Sequence, residues 1–428
     1  MKTIYIVCVI ALLGAIMVMP AAAEFEPGEC DIFVHDGESI KDAVSSASEG
    51  ETVCVWNGTY SPYFAINKKN IRVIGEGADV VTLHCDGTHG IEIGTTQNAS
   101  GAVVEGFTVE NSPGGITVAY SAPAPNCIIR NCVFDGITAD SGMLIHADNT
   151  TFENNIVSNS TSIGSVIGEV NGKSCTFVNN TFINIQGSWG ALYIRDEGDF
   201  STIDSNTFVN CTGSRVLTLR EANNCIVVNN TFIDNTGDAI RIWMTSATDN
   251  TITKNNITSN GGIICLKDAG EGNKIYLNDF TDNTAGVTYS GTPPTTTYWN
   301  STSPIDYIYN DTTYTNYLGN CWKPQYTGTD ADGDGIGDVP YVVVAPDMDH
   351  RPLMAGFENY LGEAGLPKTG DMDDDGSITF DDVISLSKHY YFGDTVYADP
   401  DVDSGGSVDF DDVILLAKHY YFGDSIYP

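Results

Sequence analysis

The sequence predicts a mainly β protein, a right-handed parallel β-helix of about ten coils with an N-terminal capping helix, joined to a small α-helical, calcium-binding domain. Three observations predict it. A degenerate repeat of about 25 residues fills the middle of the chain, an apolar strand follows each repeat centre, and a duplicated Asp-rich loop with its own helix closes the C-terminus. The expected organisation is a secretion signal over 1–23, the β-helix with its cap over 24–297, a C-terminal cap carrying an Asp-rich loop over 298–360, and the duplicated module over 361–428.

The repeat is seen in Asn131-Cys132-Val133-Phe134, Asn179-Asn180-Thr181-Phe182, Ser205-Asn206-Thr207-Phe208 and Asn229-Asn230-Thr231-Phe232. Degenerate copies place its last position at Phe107, Phe134, Val157, Phe182, Phe208, Phe232, Thr258 and Phe280, in steps of 27, 23, 25, 26, 24, 26 and 22. Helical-pair repeats need about 33 residues or more and helix formers, whereas this segment is rich in Asn, Thr, Val, Ile and Gly. The period therefore reads as one coil of three short strands and three turns. A second apolar strand recurs at Leu192 to Ile194, Val216 to Leu219, Ile240 to Ile242 and Ile263 to Leu266. Coils about 4.8 Å apart stack into a rod on the order of 50 Å long. Before them, Ser39 to Val44 has helical spacing, so a short amphipathic helix is expected to cover the open first coil.

Lys2, an apolar run from Ile4 to Met19 and Ala21-Ala22-Ala23 make the first 23 residues a cleavable secretory signal, after which no membrane span is expected. The expected location is extracellular or at the cell surface. Nineteen basic against 56 acidic residues, a formal charge of -37, exclude phosphate-backbone binding as a main role, so nucleic acid is not a partner. Such an acidic chain calls for cations. Cys127, Cys175 and Cys225 each precede a repeat centre by seven residues, with Thr150 and Ser201 in the coils between. Two coils separate neighbouring cysteines by about 9.6 Å, beyond disulfide reach of about 7 Å, so they read as buried thiols, and Cys30 with Cys54 as a bridge at the cap. Ten Asn-x-Ser/Thr sequons, among them Asn57, Asn149 and Asn300, permit glycosylation.

Gly50-Glu51-Thr52-Val53, Asn57-Gly58-Thr59-Tyr60 and Ile71 to Gly77, with the Ser39 to Val44 helix before them, resemble the periplasmic copper-binding β-helix family linked to nitrous oxide reductase maturation. Trp299-Asn300-Ser301, Asn316 to Asn320, Asp330 to Tyr341 and Arg351-Pro352-Leu353 look like the C-terminal signature of its archaeal surface relatives. The resemblance covers 31 to 355 and implies a β-helix. It does not bring copper with it, because copper needs clustered His, Met or Cys, and the only tight group here is His84, Cys85 and His89.

Asp330, Asp332, Asp334 and Asp338 stand at positions 1, 3, 5 and 9 of a glycine-rich turn, hard oxygen donors that suit calcium. Further on, Asp371, Asp373, Asp375, Ser377 (through its carbonyl), Thr379 and Asp382 occupy positions 1, 3, 5, 7, 9 and 12 of a calcium loop, with Gly376 at position 6. Thirty residues later Asp401, Asp403, Ser407, Asp409 and Asp412 repeat it, with Gly405 replacing the position-5 ligand. Nearly the same helix follows each loop. Two such units, with Asp at position 12, resemble a type I dockerin over 366 to 428, which implies a cohesin-type protein partner and recognition through Phe380, Asp381, Phe410 and Asp411.

Aligning the second apolar strands puts Arg195, Arg220 and Lys267 in one outward row beside Asp196, Glu221 and Asp268, with Tyr193, Arg241 and Trp243 nearby. Aromatic and charged groups together suit a polysaccharide; an ion-pair ladder on an exposed sheet is the structural alternative. No general acid, base or nucleophile is identified. The expectation is a secreted, non-enzymatic surface or scaffold-associated protein with a glycan-binding face. The alternative is a polysaccharide lyase or glycoside hydrolase carried by the dockerin, which requires two suitably spaced carboxylates.

Overall fold

The computed structural model describes residues 25 and 28–361, apart from 62, 86, 88–89, 120, 139–142, 163 and 295, together with 386 and 416. The chain winds as a parallel β-solenoid of three sheets. The first sheet has 12 strands, from Ile32–Val34 to Thr297–Tyr298; the second has 11, from Gly58–Tyr60 to Cys321–Lys323; the third has 10, from Phe64–Ile66 to Thr288–Ser290. Each coil gives one strand to each sheet, as in Thr202–Asp204, Thr207–Val209 and Arg215–Arg220.

The consecutive asparagines of the repeat divide two tasks. The first turns the corner between the first and second sheets in the left-handed region: φ is 53° at Asn131 and Asn179, 54° at Asn154, 55° at Ser205 and Asn229. Asparagine enters that region more readily than most residues. The second points inward and stacks. Asn155, Asn180, Asn206, Asn230, Asn255 and Asn278 are at most 1% exposed, and each amide oxygen accepts from the residue one coil before it. Asn206 is typical: its Nδ2 donates to Asn230 Oδ1 at 3.0 Å and to Phe177 O at 2.8 Å. The polar corner is thereby satisfied inside an apolar rod, where an orphaned group would cost about 1–3 kcal/mol.

Beside this ladder Phe182, Phe208 and Phe232 stack with centroids 4.7 Å apart and planes within 8°. The register corrects two repeat positions: Phe134 aligns with Val109, not Phe107, and Phe232 with Ile257, not Thr258. Phe107 sits one turn earlier, at the corner position that Cys132 fills in the next coil, because Val133 N donates to Phe107 O. Burial alone does not distinguish the two positions, since Phe107 is 0% exposed and packs on Phe64.

At the N-terminus the helix Ile40–Ser46 forms with Ser39 as its cap, Ser39 Oγ accepting from Asp42 N at 3.1 Å, and Ile40 and Val44 buried on the first coil. Cys30 and Cys54 are bonded, with Cα atoms 5.7 Å apart. Cys127, Cys175 and Cys225 are free and buried on one ladder, with Thr150 and Ser201 between them. At the other end, the hairpin of Ile305–Tyr309 and Thr312–Asn316, the strand pair Tyr341–Val344 and Asp347–Asp349, and the turn Phe357–Tyr360 close the rod over Leu277, Leu318, Ile336, Leu353 and Tyr360. The cap shares backbone with the rod, because Cys321–Lys323 is the last strand of the second sheet. Asn320 ends the asparagine ladder there, its N donating to Asp349 Oδ2 at 2.8 Å. Gly319 is required beside it, since a Cβ would lie 2.0 Å from Asp349 Oδ1.

Residues 1–23 and the calcium loops of 361–428 lie outside the described residues. Leu386 and Leu416, equivalent positions thirty residues apart in the duplicated module, are both helical and buried. Among the described residues no helix is long and apolar enough to cross a membrane.

Candidate functional site

The third sheet carries the longest strands of the rod, among them the successive Gly190–Arg195, Arg215–Arg220, Asp238–Trp243 and Gly262–Lys267. Each sends two successive residues into the core, for example Val216 and Leu217 or Ala239 and Ile240, and then alternates. Outward positions therefore fall into three columns. Arg195, Arg220, Trp243 and Lys267 form one, Tyr193, Thr218, Arg241 and Cys265 the next, and Arg215 with Asp238 the third.

In the first column Arg195, Arg220 and Lys267 stand in one register row, with Trp243 between Arg220 and Lys267. Its coil neighbours Arg220 and Lys267 lie over the indole at 4.9 and 4.6 Å from the ring centroid, and Arg215 at 5.6 Å. Each such contact contributes about 0.5–2 kcal/mol. Trp243 thus holds cations in place and is not an open stacking platform. The exposed aromatic is Trp189, 43% exposed and edge-on to the buried Tyr193 at 5.7 Å.

The acids are committed. Glu169 accepts from Arg195, Asp196 lies 3.1 Å from Arg195 Nε, Glu221 lies 3.2 Å from Arg220, and Asp238 lies 3.0 Å from Arg241. Asp268 instead accepts from the backbone N of Thr292. Arg220 also donates to Tyr193 Oη at 3.4 Å, the main cause of its raised pKa. Among the described residues Arg215 and Lys267 have no carboxylate partner. Arg215 is 7% exposed, and burial, followed by the nearby Arg241, pushes its pKa down. The Nε atoms of Arg215, Arg220 and Arg241 and the hydroxyl of Thr218 are buried without hydrogen-bond partners.

Sequence reasoning missed Arg215 and Trp189. Strict two-residue alternation puts Arg215 on the inward side with Leu217; the two successive inward residues reverse that. Trp189 precedes its strand, where the pattern carries no facing information.

Of the Asp-rich turn, Asp330, Asp332 and Asp334 converge, with one carboxylate oxygen from each within 4.8 Å of the others. Burial, opposed by the Ile336 N–H and aided by Asp332, raises the pKa of Asp334. Asp338 stands apart, accepting from Thr329 Oγ1 and Ala331 N. A separate open cleft of about 550 Å³ lies where the first sheet meets the cap, between Lys274, Tyr298 and Tyr317.

Comparison with known proteins places this geometry. The family model described as periplasmic copper-binding protein (NosD) matches residues 44–240 and 170–328. A pectinesterase/pectinesterase inhibitor from Brassica campestris is 29% identical over 163 residues, 34% of this chain and 27% of that protein, so the match spans about a quarter of the relative. Among solved structures the chain is similar to a PL6 alginate lyase in complex with a trisaccharide (14% identity, 69% of this chain, 79% of that chain, TM-score 0.37). It is similar also to the catalytic unit of a GH87 α-1,3-glucanase from Streptomyces thermodiastaticus (13%, 65%, 71%, TM-score 0.41). No reading of the chemistry rests on these likenesses.

The described residues do not fit copper. Cys127, Cys175 and Cys225 each hydrogen-bond a backbone carbonyl, and burial pushes the Cys127 thiol up to about 11 and the other two to about 12, far from thiolate ligands. Cys85 is buried while His84, its strand neighbour, binds Glu110 at 2.6 Å; His89 lies outside the described residues.

Proposed function

The chain belongs to the NosD family, and from that premise we propose that it is an exported, non-enzymatic β-helix protein whose third-sheet face holds a glycan and whose C-terminal module attaches it to a cohesin-type partner. One observation carries the reading: five of the nineteen basic residues, Arg195, Arg215, Arg220, Arg241 and Lys267, gather on four coils around Trp243, beside the exposed Trp189. In a chain of charge -37 this concentration has no counterpart in composition. Flat ion pairing does not account for it, since among the described residues Arg215 and Lys267 have no carboxylate partner. Hydrolysis or β-elimination is the less favoured alternative, because Glu169, Asp196, Glu221 and Asp238 already accept from arginines and Asp268 from the N–H of Thr292, whereas glycoside chemistry needs two available carboxylates.

For attachment, the support is the duplicated ligand spacing around Asp371 and Asp401 and the matching burial of Leu386 and Leu416. Calcium in those loops, and at Asp330, Asp332 and Asp334, belongs to the same proposal. Retention of the full chain in gels containing a panel of polysaccharides tests the face. The wild type is expected to be retarded by at least one glycan. Trp189→Ala with Arg220→Ala should abolish that retardation while the circular dichroism of the β-rod is kept. No retardation of the wild type, or unaltered retardation of the double variant, removes the glycan reading. Release of new reducing ends or unsaturated products would instead favour the enzyme.

A further inference from the structure

We infer that the ligand of the third-sheet face is a polyanionic glycan, carrying carboxylate or sulfate groups, and that Arg215 is the residue that selects for its charge; this rests on the glycan reading above and narrows it to a chemical class. Sugar hydroxyls both donate and accept, so a neutral chain is matched by a mixed set of donors and acceptors. The charged groups of this face that lack an opposite partner among the described residues are both donors. Glu169, Asp196, Glu221 and Asp238 already receive Arg195, Arg220 and Arg241, and Asp268 receives the N–H of Thr292, leaving the guanidinium of Arg215 and the ammonium of Lys267 without anions among the described residues. The complement of two unpaired cationic donors is an acceptor-only group, which a carboxylate or sulfate is.

Burial sharpens the point. A cation taken out of water is costly unless an opposite charge compensates it. Arg215 is 7% exposed, with Nε unpartnered, and lies 5.6 Å from the ring centroid of Trp243. The side chain next to it in the neighbouring coil is Asp238, which is drawn to Arg241 at 3.0 Å. An incoming oxyanion would meet Arg215 and Arg241 together and relieve their mutual repulsion. The planar guanidinium favours a two-oxygen anion over a hydroxyl. The cations repeat at the coil spacing of about 4.8 Å along the rod, so a chain lying along the axis meets several in succession. The net charge of the rest of the molecule does not forbid this, because at physiological salt it is screened beyond about 8 Å.

The test measures binding of the full chain to polygalacturonate, to dextran sulfate and to neutral dextran by calorimetry at about 50 and about 300 mM salt. Binding to at least one polyanion and not to dextran is expected, with affinity falling about tenfold or more at the higher salt. Arg215→Gln should lower polyanion affinity by about tenfold or more, and Arg215→Lys, which keeps the charge but not the fork, should recover part of it. Melting curves of both variants separate loss of affinity from loss of fold. Dextran binding equal to polyanion binding overturns the charge selection while the glycan reading survives. Binding to none of the three, with retention by another neutral glycan, does the same; binding to no glycan at all removes both. Polyanion binding insensitive to Arg215→Gln but lost in Lys274→Gln moves the site to the cleft of Tyr298 and Tyr317 and overturns the inference. The relative response to polygalacturonate and dextran sulfate tells carboxylate from sulfate.

Discussion

Phe208 shows how much a single side chain does in a rod. It is sandwiched between Phe182 and Phe232 at 4.7 Å on both sides, 0% exposed, and its coil neighbours fix its register. Stacked coils cannot collapse into a gap without breaking the hydrogen-bonded ladders on either side, so Phe208→Ala is expected to cost about 3–5 kcal/mol. Chemical denaturation of the purified protein measures it; a cost below about 1 kcal/mol would mean that the stack carries little of the stability. The repeat made Phe208 legible from sequence, because a buried aromatic recurred at a constant offset from the corner asparagines. Trp243 was legible as a neighbour of the charged row but not in its contacts. Which cations lie over its ring depends on strands from three coils, far apart in sequence.

At the scale of elements, the C-terminal cap has a stability that follows pH. Asp349 is buried beneath it, accepting from Trp322 Nε1 at 2.9 Å, Asn320 N at 2.8 Å and Arg351 N at 2.9 Å. Burial outweighs those donors and pushes its carboxyl up to about 6. Asp279, which receives the N–H of Phe357 at 3.0 Å, is raised in the same direction by burial and by Glu358. An acid raised in the folded state binds its proton more tightly there than in the unfolded chain, whose carboxyl titrates near 3.9. Stability is therefore highest at the acid end of that interval and falls as pH rises from about 4 to about 6, by about 2–3 kcal/mol for Asp349. Melting curves across this range for the wild type and Asp349→Asn isolate the effect from general charge repulsion. The variant should lose most of the slope, and an identical slope in both would refute the assignment. The motif around Asn320 and Arg351 was visible in the sequence, but its purpose was not: a carboxylate that terminates the asparagine ladder is recognisable only once both ends of the cap are in contact.

At the scale of the whole molecule, the proposal joins an autonomous rod to a calcium-dependent module. Residues 366 to 428 hold 14 Asp against three Lys, a repulsion that so short a segment offsets poorly by burial alone. If calcium supplies the difference, its binding energy is folding energy. A chelator should then remove helical circular dichroism and partner capture together while the β-rich rod signal persists. Calorimetry on the full chain should show a tighter site lost in Asp371→Ala and a weaker one lost in Asp401→Ala, since Gly405 contributes no ligand to the second loop. Helicity that is indifferent to the chelator, or a tighter second loop, would sink this part of the proposal.

What the sequence determined by itself is whatever depends on local preference and period. The coil length follows from recurrent spacing, the corners from the tolerance of asparagine for left-handed φ, the cap helix from Ser39 and the apolar positions of Ile40 and Val44, and the buried thiols from their offset to the repeat centre. The tertiary structure alone decided facing and partnership. Two successive inward residues in each long strand turned Arg215 outward, register placed Trp243 between Arg220 and Lys267, and the fold of the turn drew Asp330, Asp332 and Asp334 together while Asp338 accepted from Thr329 and Ala331. The physical reason is that a two-residue period reports facing only while the strand is regular, and contacts between residues about 25 positions apart are set by how the coils stack.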